Sequence, residues 1–125
     1  MVDKWQAQQQ LWSSYGIPAY DENTVPDDAA LPYLTYEAIA GNIGAPTQIA
    51  VNLWYRSNSW ADISKKAQEI ATAIDNLPSS IPIDGGRMKV RLPDMAAWGR
   101  RMIEPSDSGV RRIMITVEIE FLTAN

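Results

Sequence analysis

Strict alternation of apolar and polar side chains predicts two long β-strands, over residues 47–56 and 110–122. In the second strand, one face is expected to carry five large apolar side chains, those of Ile113, Ile115, Val117, Ile119 and Phe121. The opposite face is mostly Arg, Thr and Glu. Because side chains of a strand point alternately to the two sides of a sheet, one sheet face is expected to be buried and the other hydrated.

Shorter segments extend the predicted sheet. The segment 33–40 is expected to be a strand that pairs antiparallel with 47–56 after a Gly-containing turn over 41–46. Asp84-Gly85-Gly86 is a turn signal between alternating segments, and it predicts a hairpin within 81–92. Weaker signals suggest further short strands, over 17–20 and 99–104.

A first helix is predicted close to the N-terminus. Asp3 can cap a helix that begins near Lys4, and the helix should end by Gly16. Trp5 and Trp12 follow at helical spacing, so one helix face presents two indole rings. These rings must be buried either in the core of this chain or against another chain, and the sequence leaves both alternatives open.

The segment 60–77 has the clearest helical periodicity in the chain. Its apolar side chains recur at spacings of three and four residues, at Trp60, Ile63, Ala67, Ile70, Ile74 and Leu77. Ser59 with Asp62 three residues later resembles a capping box, and Pro78 ends the helix. This apolar stripe can cover the apolar face of the predicted sheet.

Together these elements predict an α+β fold: a mostly antiparallel sheet of about four strands, covered on one face by the amphipathic helix, with a short N-terminal helix. A chain of 125 residues suits one domain over 1–125, with a helix and acidic loop in 1–31 and the sheet-and-helix core in 32–125. No apolar run approaches the ~20 residues that span a bilayer, and no signal-peptide pattern is visible. We therefore expect an intracellular protein with no membrane contact.

The sequence offers few groups for catalysis. It contains no Cys and no His, which excludes a thiol nucleophile, a Ser–His pair and the commonest metal ligands. The pairs Glu118 with Glu120 and Asp27 with Asp28 could bind a cation, but such carboxylates are far more often hydrated surface charge. We expect no catalytic residue, metal or cofactor, and hence no enzymatic activity.

Charge is distributed unevenly along the chain, whose net charge is −4. The acidic excess lies in residues 1–31, mainly at Asp21, Glu22, Asp27 and Asp28. Basic residues dominate 87–112, including Arg100, Arg101, Arg111 and Arg112. Opposite patches of this kind suit head-to-tail packing of copies. Ordinary surface scatter is the alternative, and a sequence pI near 4.7 argues against strong nucleic-acid binding.

Trp54 adds a further candidate contact. It shares a predicted strand face with Asn52 and Arg56, and such a mixed face suits a surface that becomes buried on assembly. The candidate subunit or partner interface therefore combines aromatic and charged side chains, those of Trp5, Trp12, Asp21, Glu22, Asp27, Asp28, Trp54, Arg100, Arg101, Arg111 and Arg112.

Four stretches of the chain carry a family resemblance. They are LPYLTYEAIA over 31–40, TQIAVNLWYRSNSW over 47–60, ADISKKAQEIATAIDNL over 61–77 and GVRRIMITVEIEFLT over 109–123. Their order resembles that of the tail terminator or tail-completion proteins of long-tailed bacteriophages, a family of small tail components. A Pro-Tyr segment leads into a strand, a second strand ends in an aromatic and a Ser, and an amphipathic helix and a terminal strand follow.

The resemblance implies a structural role in the virion. Such proteins form a homo-oligomeric ring, usually a hexamer, on the head-proximal end of the tail. The ring would be assembled in the host cytoplasm, bind the tail tube protein, stop tube growth and dock the head–tail connector proteins. DNA would pass through the channel without specific binding. The N-terminal Trp helix and the acidic loop have no counterpart in the pattern.

Other readings stay open at the level of the sequence. A head–tail connector or neck component has the same general features as a terminator. A small ligand-binding domain with a Trp-lined pocket predicts a concave site with convergent polar groups. A nucleic-acid module predicts salt-sensitive binding through the basic cluster.

Overall fold

A computed structural model describes residues 2–40, 45–94, 96–103, 107 and 109–123. The described residues form two α-helices and seven β-strands. In chain order they are α1 (Lys4–Ser13), β1 (Ala19–Asp21), β2 (Tyr33–Tyr36), β3 (Thr47–Arg56), α2 (Ala61–Asp75), β4 (Ile81–Ile83), β5 (Gly86–Arg91), β6 (Gly99–Met102) and β7 (Val110–Thr123).

The seven strands belong to a single sheet with the order β1-β2-β3-β7-β5-β4, in which β6 also pairs with β7. The strand β7 is central: it pairs with β3 along 110–119, with β6 along 112–115 and with β5 along 118–123. These pairings are antiparallel, whereas β1 and β2 run parallel. The sheet curls into a half-barrel.

The expectation of a sheet of about four strands covered on one face by a helix is wrong, because the sheet has seven strands in a curled half-barrel. The fold has the two helices that were expected, α1 and α2. The difference comes from the short strands β1, β4 and β6, which have three or four residues each. Segments this short show too little alternation to be predicted firmly, and they are held by backbone pairing to longer neighbours. The parallel pairing of β1 to β2 also lacks the tight turn that predicts a hairpin.

The apolar faces of the long strands and the two helices enclose one hydrophobic core. From α2, five side chains are buried, those of Ile63, Ala67, Ile70, Ala71 and Ile74, and the helix packs on β3, β5 and β7. From the centre of the sheet, Val51, Leu53 and Ile115 are fully buried. The predicted apolar stripe of 60–77 and the alternation of 110–122 are both present. Among the described helices, none is long and apolar enough to cross a membrane.

The N-terminal cap of α1 matches its prediction. The Asp3 carboxylate accepts a hydrogen bond from the Gln6 backbone N–H at 2.8 Å, and the Gln6 side chain accepts one from the Asp3 N–H at 3.2 Å. The start of α2 does not match, since Trp60 is the N-cap and makes no side-chain capping bond. The Ser59 hydroxyl instead accepts from the Ala61 N–H at 3.3 Å, one position earlier than a capping box requires.

Gln8 attaches α1 to the sheet. Its side chain is fully buried, and its Nε2 donates to the carbonyls of Lys4 at 3.0 Å and Ile39 at 2.9 Å. Its Oε1 accepts from the Ile39 N–H at 3.0 Å. One side-chain amide therefore satisfies both backbone polar groups of Ile39, just beyond β2, as a neighbouring strand would.

Two predicted features extend beyond the described residues. The turn over 41–46 lies mostly there, because residues 41–44 are not described. The segment 99–104 is a strand over Gly99–Met102, and its last residue, Glu104, also lies outside the described part.

Candidate assembly surfaces

The acidic residues predicted from the sequence and two of the four predicted arginines lie on opposite sides of the central strand β7. Asp21 is the last residue of β1, the edge strand on one side, and Glu22, Asp27 and Asp28 follow it in an exposed loop over 21–30, which we call the acidic loop. Arg100 and Arg101 lie on β6, on the far side of β7. The fold therefore separates the two charge groups instead of pairing them within one chain.

The acidic loop is held by a few local hydrogen bonds. The Asp21 carboxylate accepts from the Asn23 N–H at 3.0 Å, and the Asp21 carbonyl accepts from the Thr24 N–H at 2.9 Å. Partial burial, followed by the negative charges of Glu37 and Asp21, raises the pKa of the Glu22 carboxyl. Within the described part of the chain, no Lys or Arg forms an ion pair with an acid of this loop.

A tight turn forms the tip of the acidic loop. The Ala29 N–H donates to the Pro26 carbonyl at 3.1 Å, which makes Asp27 and Asp28 the two central residues of a four-residue turn. Both are exposed. The loop therefore presents two adjacent carboxylates at its tip.

Arg100 and Arg101 are both exposed on β6. The guanidinium carbon of Arg101 lies over the Trp60 ring, 5.1 Å from its centroid, in a cation–π contact. Among the described residues, neither arginine forms an ion pair. These two cations are therefore positioned at the surface but not neutralised by a described carboxylate.

Arg111 and Arg112 differ from the first pair, since each is half-buried and engaged with this chain. Arg111 lies 5.5 Å from the Trp60 ring centroid and donates to the Asn58 carbonyl at 3.3 Å. Arg112 lies 5.0 Å from the Trp54 ring centroid and donates to the Asn52 side-chain oxygen at 3.2 Å. The four arginines predicted as one patch thus divide into two exposed and two internally bonded residues.

The three predicted tryptophans also have different environments. Trp12 is fully buried in the core, with ring centroids 6.2 Å from Tyr15 and 6.4 Å from Tyr36, so the core alternative holds for it. Trp5, on the same helix, is 51% exposed. Trp54 is half-buried on the outer sheet face, and its indole N–H donates to the Thr35 hydroxyl at 3.0 Å. Of the two helix tryptophans, only Trp5 is available at the surface.

The outer sheet face contains aromatic residues that the sequence analysis did not single out. Tyr20 and Tyr33 meet edge to face with ring centroids 5.6 Å apart, and Tyr33 lies opposite Trp54 in the pairing of β2 with β3. The cross-strand pairing with Trp54 was a possible signal for Tyr33. The parallel pairing that brings Tyr20 alongside had no signal in the local pattern. Tyr20, Tyr33 and Trp54 thus extend the mixed aromatic and polar face that was predicted around Trp54.

The hydrogen bond between Trp54 and Thr35 gives a testable contribution to the stability of this face. Thr35→Val and Trp54→Phe each remove one partner, and in a double-mutant cycle the two changes should be coupled by about 1 kcal/mol of unfolding free energy. Urea unfolding followed by circular dichroism measures all four proteins. Fully additive effects would show that this hydrogen bond contributes nothing.

The described residues contain no group of three or more His, Cys, Asp or Glu that could hold a metal ion. In the predicted pair of Glu118 and Glu120, each carboxylate lies beside a cation of β5. Glu118 accepts a hydrogen bond from the Arg91 guanidinium at 2.8 Å, and Glu120 lies opposite Lys89 in the pairing of β5 with β7. That hydrogen bond, followed by the negative charge of Glu118, raises the pKa of Arg91. Glu118 thus takes part in cross-strand charge pairing.

No protein-family model and no curated protein matches the sequence. Among solved structures, a chain in the virion of a native gene transfer agent particle matches with a TM-score of 0.60. The match covers 94% of this chain and 88% of that chain, at 16% sequence identity. The two chains share a fold. At this identity the likeness concerns the fold alone.

Proposed function

We propose that this protein is a non-enzymatic structural component of a phage-like virion, in which it assembles with other virion proteins. The observation that carries the proposal is the fold shared with a chain of a gene transfer agent virion, over 94% of this chain and 88% of the other. A likeness of this extent spans nearly the whole chain, so it does not depend on one common hairpin.

Within the virion we propose the role of tail terminator. Copies would form a ring, with six subunits as the resemblance implies, that caps the head-proximal end of the tail tube, docks the head connector and lets DNA pass. A closed ring requires two different, complementary patches on each subunit. Acidic side chains at the β1 edge and basic side chains on β6 supply such a pair. Their separation across the sheet favours contact between copies over contact within one chain.

The test is the mass of the purified protein in solution, with and without isolated tail tubes, followed by electron microscopy of any complex. We expect a ring, or a cap at one end of each tube. Binding to portal-bearing capsids but not to tubes would replace the terminator with a connector. A monomer that binds neither would contradict the virion role, and a screen for small ligands would then test the binding-domain alternative.

A further inference from the structure

A groove of about 240 Å³ opens between α2 and β6. Its walls include apolar atoms of Ala67, Trp98 and Ile113, and Arg100 and Arg101 also line it. Ser64 contributes a buried hydroxyl that has no hydrogen-bond partner among the described residues. The groove therefore places two exposed arginines beside apolar walls.

We propose that this groove receives the tip of the acidic loop of a second copy of this chain, so that Asp27 and Asp28 meet Arg100 and Arg101. The inference rests on the proposed assembly role and names the contact that would join neighbouring subunits. Two carboxylates at a turn tip match the charge and number of the two arginines that line the groove, whose side chains leave β6 on opposite faces. A guanidinium over an indole ring keeps its in-plane N–H groups for a carboxylate, so the Arg101 contact with Trp60 orients the cation without neutralising it.

The loop that fills the groove comes from another copy because of the strand order. The acidic loop joins β1 to β2, so both of its ends are fixed at one edge of the sheet. The groove lies beyond β3 and β7, beside β6. Neighbouring strands are about 4.8 Å apart, and the helices α1 and α2 cover the apolar face between the two regions. The acidic loop and the groove are thus two different patches of the chain, as a head-to-tail contact requires.

The experiment uses two charge-reversed proteins. Arg100→Glu with Arg101→Glu makes the groove acidic, and Asp27→Arg with Asp28→Arg makes the loop basic. Each protein alone then brings like charges together, and its self-association should weaken by about 100-fold or more. An equimolar mixture restores both attractive contacts in an alternating arrangement, so it should assemble about as well as the unmodified chain.

Sedimentation measures self-association in solution, and end-capping of isolated tail tubes is scored by microscopy for the same proteins. Lys65→Glu, an exposed charge reversal elsewhere on α2, serves as the control and should assemble normally. Thermal unfolding checks that each variant folds. The changes are all at exposed side chains, so unfolding temperatures should stay close to that of the unmodified chain.

The outcomes separate the two proposals. If the unmodified chain assembles and both variants assemble equally well, the groove contact is wrong while the virion role stands. If neither variant assembles alone and the equimolar mixture does not assemble either, the acidic and basic residues do not pair with each other. That result also overturns the groove contact. If the unmodified chain assembles neither alone nor on tubes, the terminator role and the groove contact both fail, and binding to portal-bearing capsids decides whether the virion role stands.

Discussion

Replacing Trp12 with alanine should lower the free energy of unfolding by about 3–5 kcal/mol. Trp12 is fully buried and packs between Tyr15 and Tyr36, where α1 meets the sheet. Its removal leaves a cavity that these rigid neighbours cannot close. Since small domains have about 5–15 kcal/mol of stability in total, the variant should unfold at a much lower urea concentration. Circular dichroism is the suitable signal, because the substitution itself changes the fluorescence.

The matched control is Trp5→Ala on the same helix. Trp5 is 51% exposed, so its replacement should change the unfolding free energy by less than about 1 kcal/mol. If Trp5 contacts a neighbouring chain, the control instead weakens assembly while the monomer stays folded. Equal destabilisation by the two substitutions would contradict the assignment of Trp12 to the core and Trp5 to the surface.

The second large effect is expected at Gln8. Gln8→Ala removes the amide that bonds the N–H and the carbonyl of Ile39, and it should lower the unfolding free energy by about 1–3 kcal/mol. Gln8→Met keeps most of the side-chain volume but makes no such hydrogen bonds, so it isolates their contribution. Equilibrium unfolding in urea measures both variants.

Gln10→Ala is the control for Gln8, because Gln10 lies on the same helix and is exposed. This substitution should change the free energy of unfolding by less than about 0.5 kcal/mol. Hydrogen exchange at the Ile39 amide provides a second readout, since that proton should exchange faster in Gln8→Met than in the unmodified chain. An unchanged exchange rate would show that another group protects this amide.

Long periodic segments could be predicted from the sequence with close bounds, short strands gave only weak signals, and the non-local pairing of strands gave none. The strand over 47–56 has the predicted bounds, and α2 spans most of 60–77, because ten or more residues repeat one pattern. The parallel pairing of β1 to β2 depends on a partner more than ten residues away, so no local pattern reports it. The number of strands was therefore underestimated, and with it the curl of the sheet.

Residues of the same type also differ in burial and in their contacts, and the local sequence pattern does not show these differences. In the run from Gln8 to Gln10, the first residue is buried while the third is exposed. Gln9 lies between them and donates to the Ala19 carbonyl at 3.0 Å. The arginines divide similarly, since Arg112 faces Trp54 and Asn52 only because β7 pairs with β3 in one register. The candidate site could thus be predicted as a set of charges, but not as the two groups that the sheet separates.

The central position of β7 has a consequence for the synthesis of this protein. Its partners β3, β5 and β6 all precede it in the chain, so each leaves the ribosome before the strand that completes its pairing. Until residues 110–123 emerge, the apolar side chains of β3 lack their main neighbours, and the nascent chain is exposed to proteases and to aggregation. A chain terminated before residue 110 cannot form this sheet. Errors that end translation before residue 110 should therefore yield fragments that are degraded.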